Sequence, residues 1–258
     1  MRDVFDMWKN TRMVVLTAMS ASLYAAILIP FKVMPLIPGV TEFRPANAVP
    51  VVCSFLFGPA AAWGAAIGNV IGDFFGGMGP GDVFGFLGNF LYGLIPYKAW
   101  RALTDADPVP RSPGTWLAFV GVVFLAAAAC AVTVGWGLNL LGFVPFSVLA
   151  NIILINNGVV AVALSPLLLA AIYPRVKRAR LRHQDILGSD PRRRSVSRVG
   201  LVLVVVTTVA ALVIGNLLST GAIALPFLEP DASGTRAAQV GLGLLPIIIA
   251  LFLAAALL

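Results

Sequence analysis

Residues 48–75 read AVPVVCSFLFGPAAAWGAAIGNVIGDFF, and the fold turns on whether this stretch is one long helix or two helices broken at Gly58-Pro59. The run Val49–Phe57 ahead of the break is only about half a bilayer long, since a spanning helix needs roughly 20 apolar residues. Pro59 fits the first turn of a following helix, where its missing N–H costs nothing, and Gly58 tolerates a turn conformation. The distribution of charge decides the question. Lys98, Arg101 and Arg111 mark one loop, and nine basic residues between Pro174 and Arg198 mark another two spans later. If the chain turns back at Gly58-Pro59, the N-terminal Arg2, Lys9 and Arg12 fall on the same side as both loops. That puts 15 of the 18 basic residues in the cytoplasm and leaves Lys32, Arg44 and Arg236 outside, as the positive-inside rule asks.

The rest of the chain agrees with a membrane solvent. Of its 258 residues, 59% are hydrophobic and 11% charged, with a mean hydropathy of +0.94. Apolar runs occupy about Met13–Val33, Val49–Phe57, Ala60–Phe75, Val83–Trp100, Thr115–Leu141, Phe146–Tyr173, Val199–Leu218 and Val240–Leu258. The expected fold is an all-α polytopic membrane bundle, with a six-span core over 1–177, a basic cytoplasmic linker over 178–198 and a two-helix membrane hairpin over 199–258. The stretch Pro174–Arg198 carries nine basic and two acidic residues, which is the whole of the chain's net charge of +7. Confined to one loop between spans, it reads as a topology signal near anionic headgroups and not as a nucleic-acid surface. "MRDVFDMWKNTR" reads as a cytoplasmic lead into a retained helix, so both termini are expected inside.

Several chemistries are disfavoured. His183 is the single histidine and lies in the basic loop, where a solvated role is expected and no histidine metal cluster is possible. Cys53 and Cys130 sit in apolar runs as small hydrophobes. "GGMGPGDVFG", residues 76–85, lacks the Gly-Lys-Ser/Thr of a phosphate loop and reads as a tight turn. No cofactor is called for, no nucleophile has its partners, and energy for transport must come from a gradient or a partner protein.

Polar residues gather toward the side opposite the basic loops. "GVTEFRPANAVP", residues 39–50, sets Glu42, Arg44 and Asn47 at the rim where the short helix begins. Asn69 and Asp73 are four residues apart and share a helix face; Asn89 lies two turns below Asp82, with Tyr92 one turn further. Asn139 closes the fifth span, and Asn151, Asn156 and Asn157 descend the sixth. Single asparagines commonly join helices, but ionisable groups near hydrocarbon favour a cavity or a partner. The expected binding site is Glu42, Arg44, Asn47, Asn69, Asp73, Asn89, Tyr92 and Asn156, with Glu42 and Arg44 either touching ligand or pinning the loop as an ion pair. Trp63, Trp136, Phe74, Phe84 and Phe86 are candidates, with Tyr92, for apolar walls. In "TAMSASLYAAI", residues 17–27, Ala18, Ser22 and Ala26 repeat every four residues beside Ala21 and Ala25, a spacing that admits another helix from within the bundle or from another subunit.

A small-residue first helix, "EFRPAN", a short second helix, "GPAAAWGAAIGN" and "MGPGDVFGFLGN" together resemble the substrate-binding S component of an energy-coupling factor (ECF) transporter, and most of all the queuosine-precursor-type group. The resemblance covers about Thr11–Lys177. It implies a prokaryotic plasma-membrane protein that captures a vitamin or similar micronutrient under its first outer loop, here Pro35–Ala46. It also implies a transmembrane coupling subunit and two cytoplasmic ATPases as partners, docked on Ala18, Ala21, Ser22 and Ala25. A stand-alone gradient-driven carrier is the alternative. The hairpin after the basic loop departs from the common form, in which the chain stops near the sixth span.

Overall fold

Gly58 adopts φ +54°, and its N–H bonds the Ser54 carbonyl at 2.9 Å, closing one helix just before Pro59 opens the next. A computed structural model describes residues 2–31, 35–37, 41–42, 44–188, 194–225 and 233–258; for Arg2, 35–37, 41–42, 194–196 and 233–235 it describes backbone alone. In chain order the helices are α1 Arg2–Asp6, α2 Thr11–Phe31, α3 Ala48–Phe57, α4 Pro59–Gly76, α5 Asp82–Leu103, α6 Pro113–Leu140, α7 Phe146–Arg178, α8 His183–Leu187, α9 Arg194–Thr220 and α10 Ser233–Leu257. Between α2 and α3 runs a small antiparallel hairpin, β1 Pro35–Ile37 and β2 Thr41–Glu42, followed by a 3-10 turn over Pro45–Asn47. That hairpin is the one addition to the all-helical expectation among the described residues.

The protein is a polytopic helical bundle. Helices α2, α6, α7, α9 and α10 are long and apolar enough to cross a membrane, and α3 with its preceding turn forms a shorter apolar helix. The break at Gly58 folds the chain back on itself, because Asn47, eleven residues before it, and Asn69, eleven after it, line one cavity at the far end. Asp3 and Leu258 both lie at the basic end. Asp3 on α1 pairs with Lys98 of α5 at 2.9 Å and accepts the Tyr97 hydroxyl at 3.0 Å, and Leu258 lines the same basic-end cavity as Asp3.

Glycine sets the closest helix contact. A Cβ on Gly64 would come within 2.5 Å of the Ser20 side chain, and one on Gly68 within 2.7 Å of the Ala21 carbonyl. Small residues four apart on α4 therefore let α2 approach backbone to backbone, the membrane route to tight packing where lipid offers no hydrophobic drive. This contact buries Ala21 and Ala25, whereas Ala18 and Ser22 stay exposed beside Val15 and Met19. The four residues expected to dock a partner are thus divided: the first pair holds α2 to α4, and only the second is on the surface.

The C-terminal helices join the main core. Val204, Ala211 and Leu218 of α9 and Val240, Leu244, Ile248 and Leu251 of α10 belong to the same buried cluster as Phe119 and Phe146. Helix α9 packs on α5, α6 and α7, and α10 packs on α6.

His183 corrects the expectation of a solvated loop residue. It opens α8, is 4% exposed, and its ring packs 5.2 Å from that of Tyr97 and against Gly58, where a Cβ would strike it at 2.6 Å. Ile186 and Leu187 follow it into a cluster with Met13 and Leu16. The linker is thus docked beneath the α3–α4 turn, which a sequence reading misses because the contact spans 125 positions. Asp190, Arg192 and Arg193 of that linker lie outside the described residues.

Candidate functional site

At the end opposite Asp3 and Leu258, five helices and the turn before α3 line a cavity of about 250 Å³. Its polar lining comes from Tyr24 of α2, Arg44 and Asn47 ahead of α3, Asn69 and Asp73 of α4, Asp82 and Asn89 of α5, and Asn156 and Asn157 of α7. Val134, Leu138, Ile153 and Phe143 supply apolar wall. A larger space, about 770 Å³, opens at the basic end, but its charges are largely matched: Asp3 with Lys98, and Arg182 with Asp185 at 2.8 Å. Burial opposes the charge on Asp3, yet the Lys98 ammonium outweighs it and holds that carboxyl down to about 2, as expected of an ion pair that stays closed at neutral pH. The smaller cavity is the better site because polar side chains distant in sequence converge on it beside an apolar wall.

The carboxamides are ordered by one another. Asn47 Nδ2 donates to Asn157 Oδ1 at 2.6 Å, and the Tyr24 hydroxyl lies 3.4 Å from Asn47 Oδ1 and 3.2 Å from Asn89 Oδ1. Having one proton, that hydroxyl is shared between the two carbonyls. Asn89 Nδ2 is tied to the Gly85 carbonyl one turn back at 2.9 Å. Tyr92 does not line the cavity; it is fully buried beneath the floor, with its hydroxyl 3.0 Å from the Asn47 carbonyl and 3.2 Å from that of Asn157. Asn69 Nδ2 donates to Asp73 at 2.5 Å, the (i, i+4) pair expected of a shared helix face, and Asp82 accepts the Gly79 N–H at 2.9 Å. Buried amides fixed in this way present defined donors and acceptors at little reorganisation cost on binding.

Of the eight residues singled out from sequence, Arg44, Asn47, Asn69, Asp73, Asn89 and Asn156 line the cavity, and Tyr92 supports it from below. Glu42 is placed by backbone in β2, and its side chain lies outside the described residues. Most of the loop expected to gate the site, Pro35–Ala46, is likewise described only in part. Tyr24, Asn157 and Cys130 were not expected in the lining. Tyr24 is the one polar aromatic in the small-residue helix, a signal the sequence carried; Cys130 offered none.

The aromatic walls expected from sequence are elsewhere. Trp63 faces the basic end, where its indole N–H donates to the Val4 carbonyl at 2.9 Å among Phe5, Trp8 and Phe90; Phe86 packs on it. Trp136 and Phe84 pack edge to face at 5.7 Å behind the cavity wall, and Phe74 is 68% exposed. The described wall is aliphatic, with Phe143 and Tyr24 its aromatic members. Asn139 and Asn151 do not reach the cavity either, and hydrogen-bond the C-terminal helices instead.

A family model described as QueT transporter matches residues 14–174. Comparison with curated proteins and with solved structures gives no match.

Proposed function

Because the chain belongs to the QueT transporter family, an ECF S-component group for queuosine precursors, we propose that the 250 Å³ cavity is where it captures its substrate for an ATP-driven importer. The observation that carries this reading is the convergence of Arg44, Asp73 and five asparagines from separate elements on one small space walled by aliphatic side chains. A carboxamide offers one donor edge and one acceptor edge, so an array of them suits a flat, polar heterocycle with alternating donors and acceptors. Arg44 adds a planar fork able to hold a carbonyl edge with two directed bonds. Asp73 and Asp82 supply acceptors and set negative charge beside it.

In this reading the basic end faces the cytoplasm, in keeping with the positive-inside rule, and the cavity opens outward. Substrate enters past Arg44. The exposed Val15, Ala18, Met19 and Ser22 face of α2 is the surface offered to a coupling subunit, and ATP hydrolysis belongs to partner proteins. A gradient-driven carrier working alone would want an ionisable group at mid-depth for its coupling ion. Asp73 and Asp82 instead sit at the outer ends of α4 and α5.

Titration calorimetry of the purified chain with a queuosine-precursor base tests the assignment. Arg44→Ala is expected to weaken binding by about 100-fold, the loss of a charge-assisted two-bond contact, with Arg44→Lys intermediate. An affinity for Arg44→Ala within twofold of the parent protein removes Arg44 from the site.

A further inference from the structure

None of the described residues of α9 and α10 lines the cavity, yet polar groups on both helices bond to one stretch of the core, residues 136–151. Asn139, in the last turn of α6, accepts the Phe146 N–H at 3.1 Å and donates to the Ala237 carbonyl of α10 at 3.2 Å. The Trp136 indole N–H donates to the Gly241 carbonyl, also of α10, at 3.0 Å. On the α9 side, the Ser147 N–H donates to Ser219 Oγ at 3.1 Å, and Asn151 Nδ2 donates to Asn216 Oδ1 at 2.7 Å. The Phe146 ring, fully buried, fills a notch at Gly215, where a Cβ would come within 2.4 Å of it. Each helix of the hairpin is therefore stitched to one side of the α6–α7 turn, and that turn with the end of α6 before it sets Phe143 and Leu138 at the cavity.

We propose that the C-terminal hairpin is a brace that fixes the α6–α7 turn as the immovable wall of the substrate cavity, so that the cavity opens only on the Arg44 side. Asn139, Asn151, Asn216 and Ser219 are its positioning residues. A turn joining two helices at a membrane surface would otherwise be among the easiest segments to open locally. Withdrawing the hairpin would also take the acceptors from the Trp136 indole N–H and from Asn139 Nδ2 and leave Asn151 Nδ2 only the Ser147 carbonyl one turn back at 2.7 Å, a loss of hydrogen bonds that hydrocarbon cannot make good. The brace packs on α5, α6 and α7, and the Val15, Ala18, Met19 and Ser22 face of α2 stays exposed with it in place.

Cys130 reports on the wall directly, because it lines the cavity and is 2% exposed. Modification of Cys130 by N-ethylmaleimide is followed by mass spectrometry in the full chain carrying Cys53→Ser. In Asn151→Ala/Asn216→Ala the rate is expected to rise about tenfold, as local opening of the turn becomes easier. Replacing the same two residues by cysteines and oxidising them to a cross-link is expected to return the rate to that of the reference. A change under twofold in the alanine pair overturns the proposal, and so does a rise that the cross-link leaves in place, since that marks general loosening. If the alanine pair does not accumulate, Ser219→Ala is expected to give an acceleration of about threefold, and none overturns it. The readout needs no ligand, so the substrate assignment and the brace stand or fall separately.

Discussion

The Tyr24 hydroxyl stands between Asn47 and Asn89, and so sets the distance between the turn before α3 and the face of α5. Tyr24→Phe keeps the ring in place and removes the only proton shared by those two carbonyls. With the amides freer to rotate, affinity for a queuosine-precursor base is expected to fall about tenfold by calorimetry, against a stability change under about 1 kcal/mol. Equal affinity would show that the amides are held without it. Asparagines and acids at this end were legible in the sequence because each is conspicuous in an apolar run. Which of them meet was not: Asn156 and Asn157 are chain neighbours that both reach the cavity, while Asn139 and Asn151 turn to the hairpin. Helical periodicity says which residues share a face, but the rotation of that face about the bundle axis is fixed by packing with partners distant in sequence.

The break between α3 and α4 was legible, since Gly-Pro chemistry and the parity of basic loops both demanded it. The use of the alanine-rich helix was not, because small residues serve an internal contact and an external one equally well. The glycines of α4 decide between them. A Cβ on Gly68 would sit 2.7 Å from the Ala21 carbonyl, an atom of rigid backbone, so α2 must retreat from α4. Gly68→Val is expected to destabilise the protein by about 1–3 kcal/mol, the usual range for overpacking, and to weaken substrate binding because Tyr24 moves with α2. Gly121→Ala, on α6 with nothing beyond its own helix backbone within 4 Å of the added Cβ, is the control and should weaken neither. Thermal unfolding in detergent with calorimetry on both variants checks this; an undisturbed Gly68→Val would mean that the α2–α4 approach is slack.

Across the whole molecule, charge and polarity are sorted to opposite ends. The basic end gathers Lys98, Arg101 and Arg182 with Asp3 and Leu258, and Lys177 through its pair with Asp107, and holds the linker against the α3–α4 turn through His183. The other end carries the cavity, whose lining mixes Arg44 with two acids and several amides. Anionic headgroups and the insertion machinery favour keeping the first end inside, which makes the orientation testable without any ligand. Met78, 61% exposed in the turn between α4 and α5, marks the cavity end; Asp105, exposed between α5 and α6, marks the basic end. Both native cysteines are buried. In intact cells a membrane-impermeant maleimide is expected to modify Met78→Cys, and to modify Asp105→Cys only after permeabilisation. The reverse pattern would turn the cavity toward the cytoplasm, and capture from outside would then be impossible whatever the affinity of the site, because substrate reaching the cell surface would meet only the basic end.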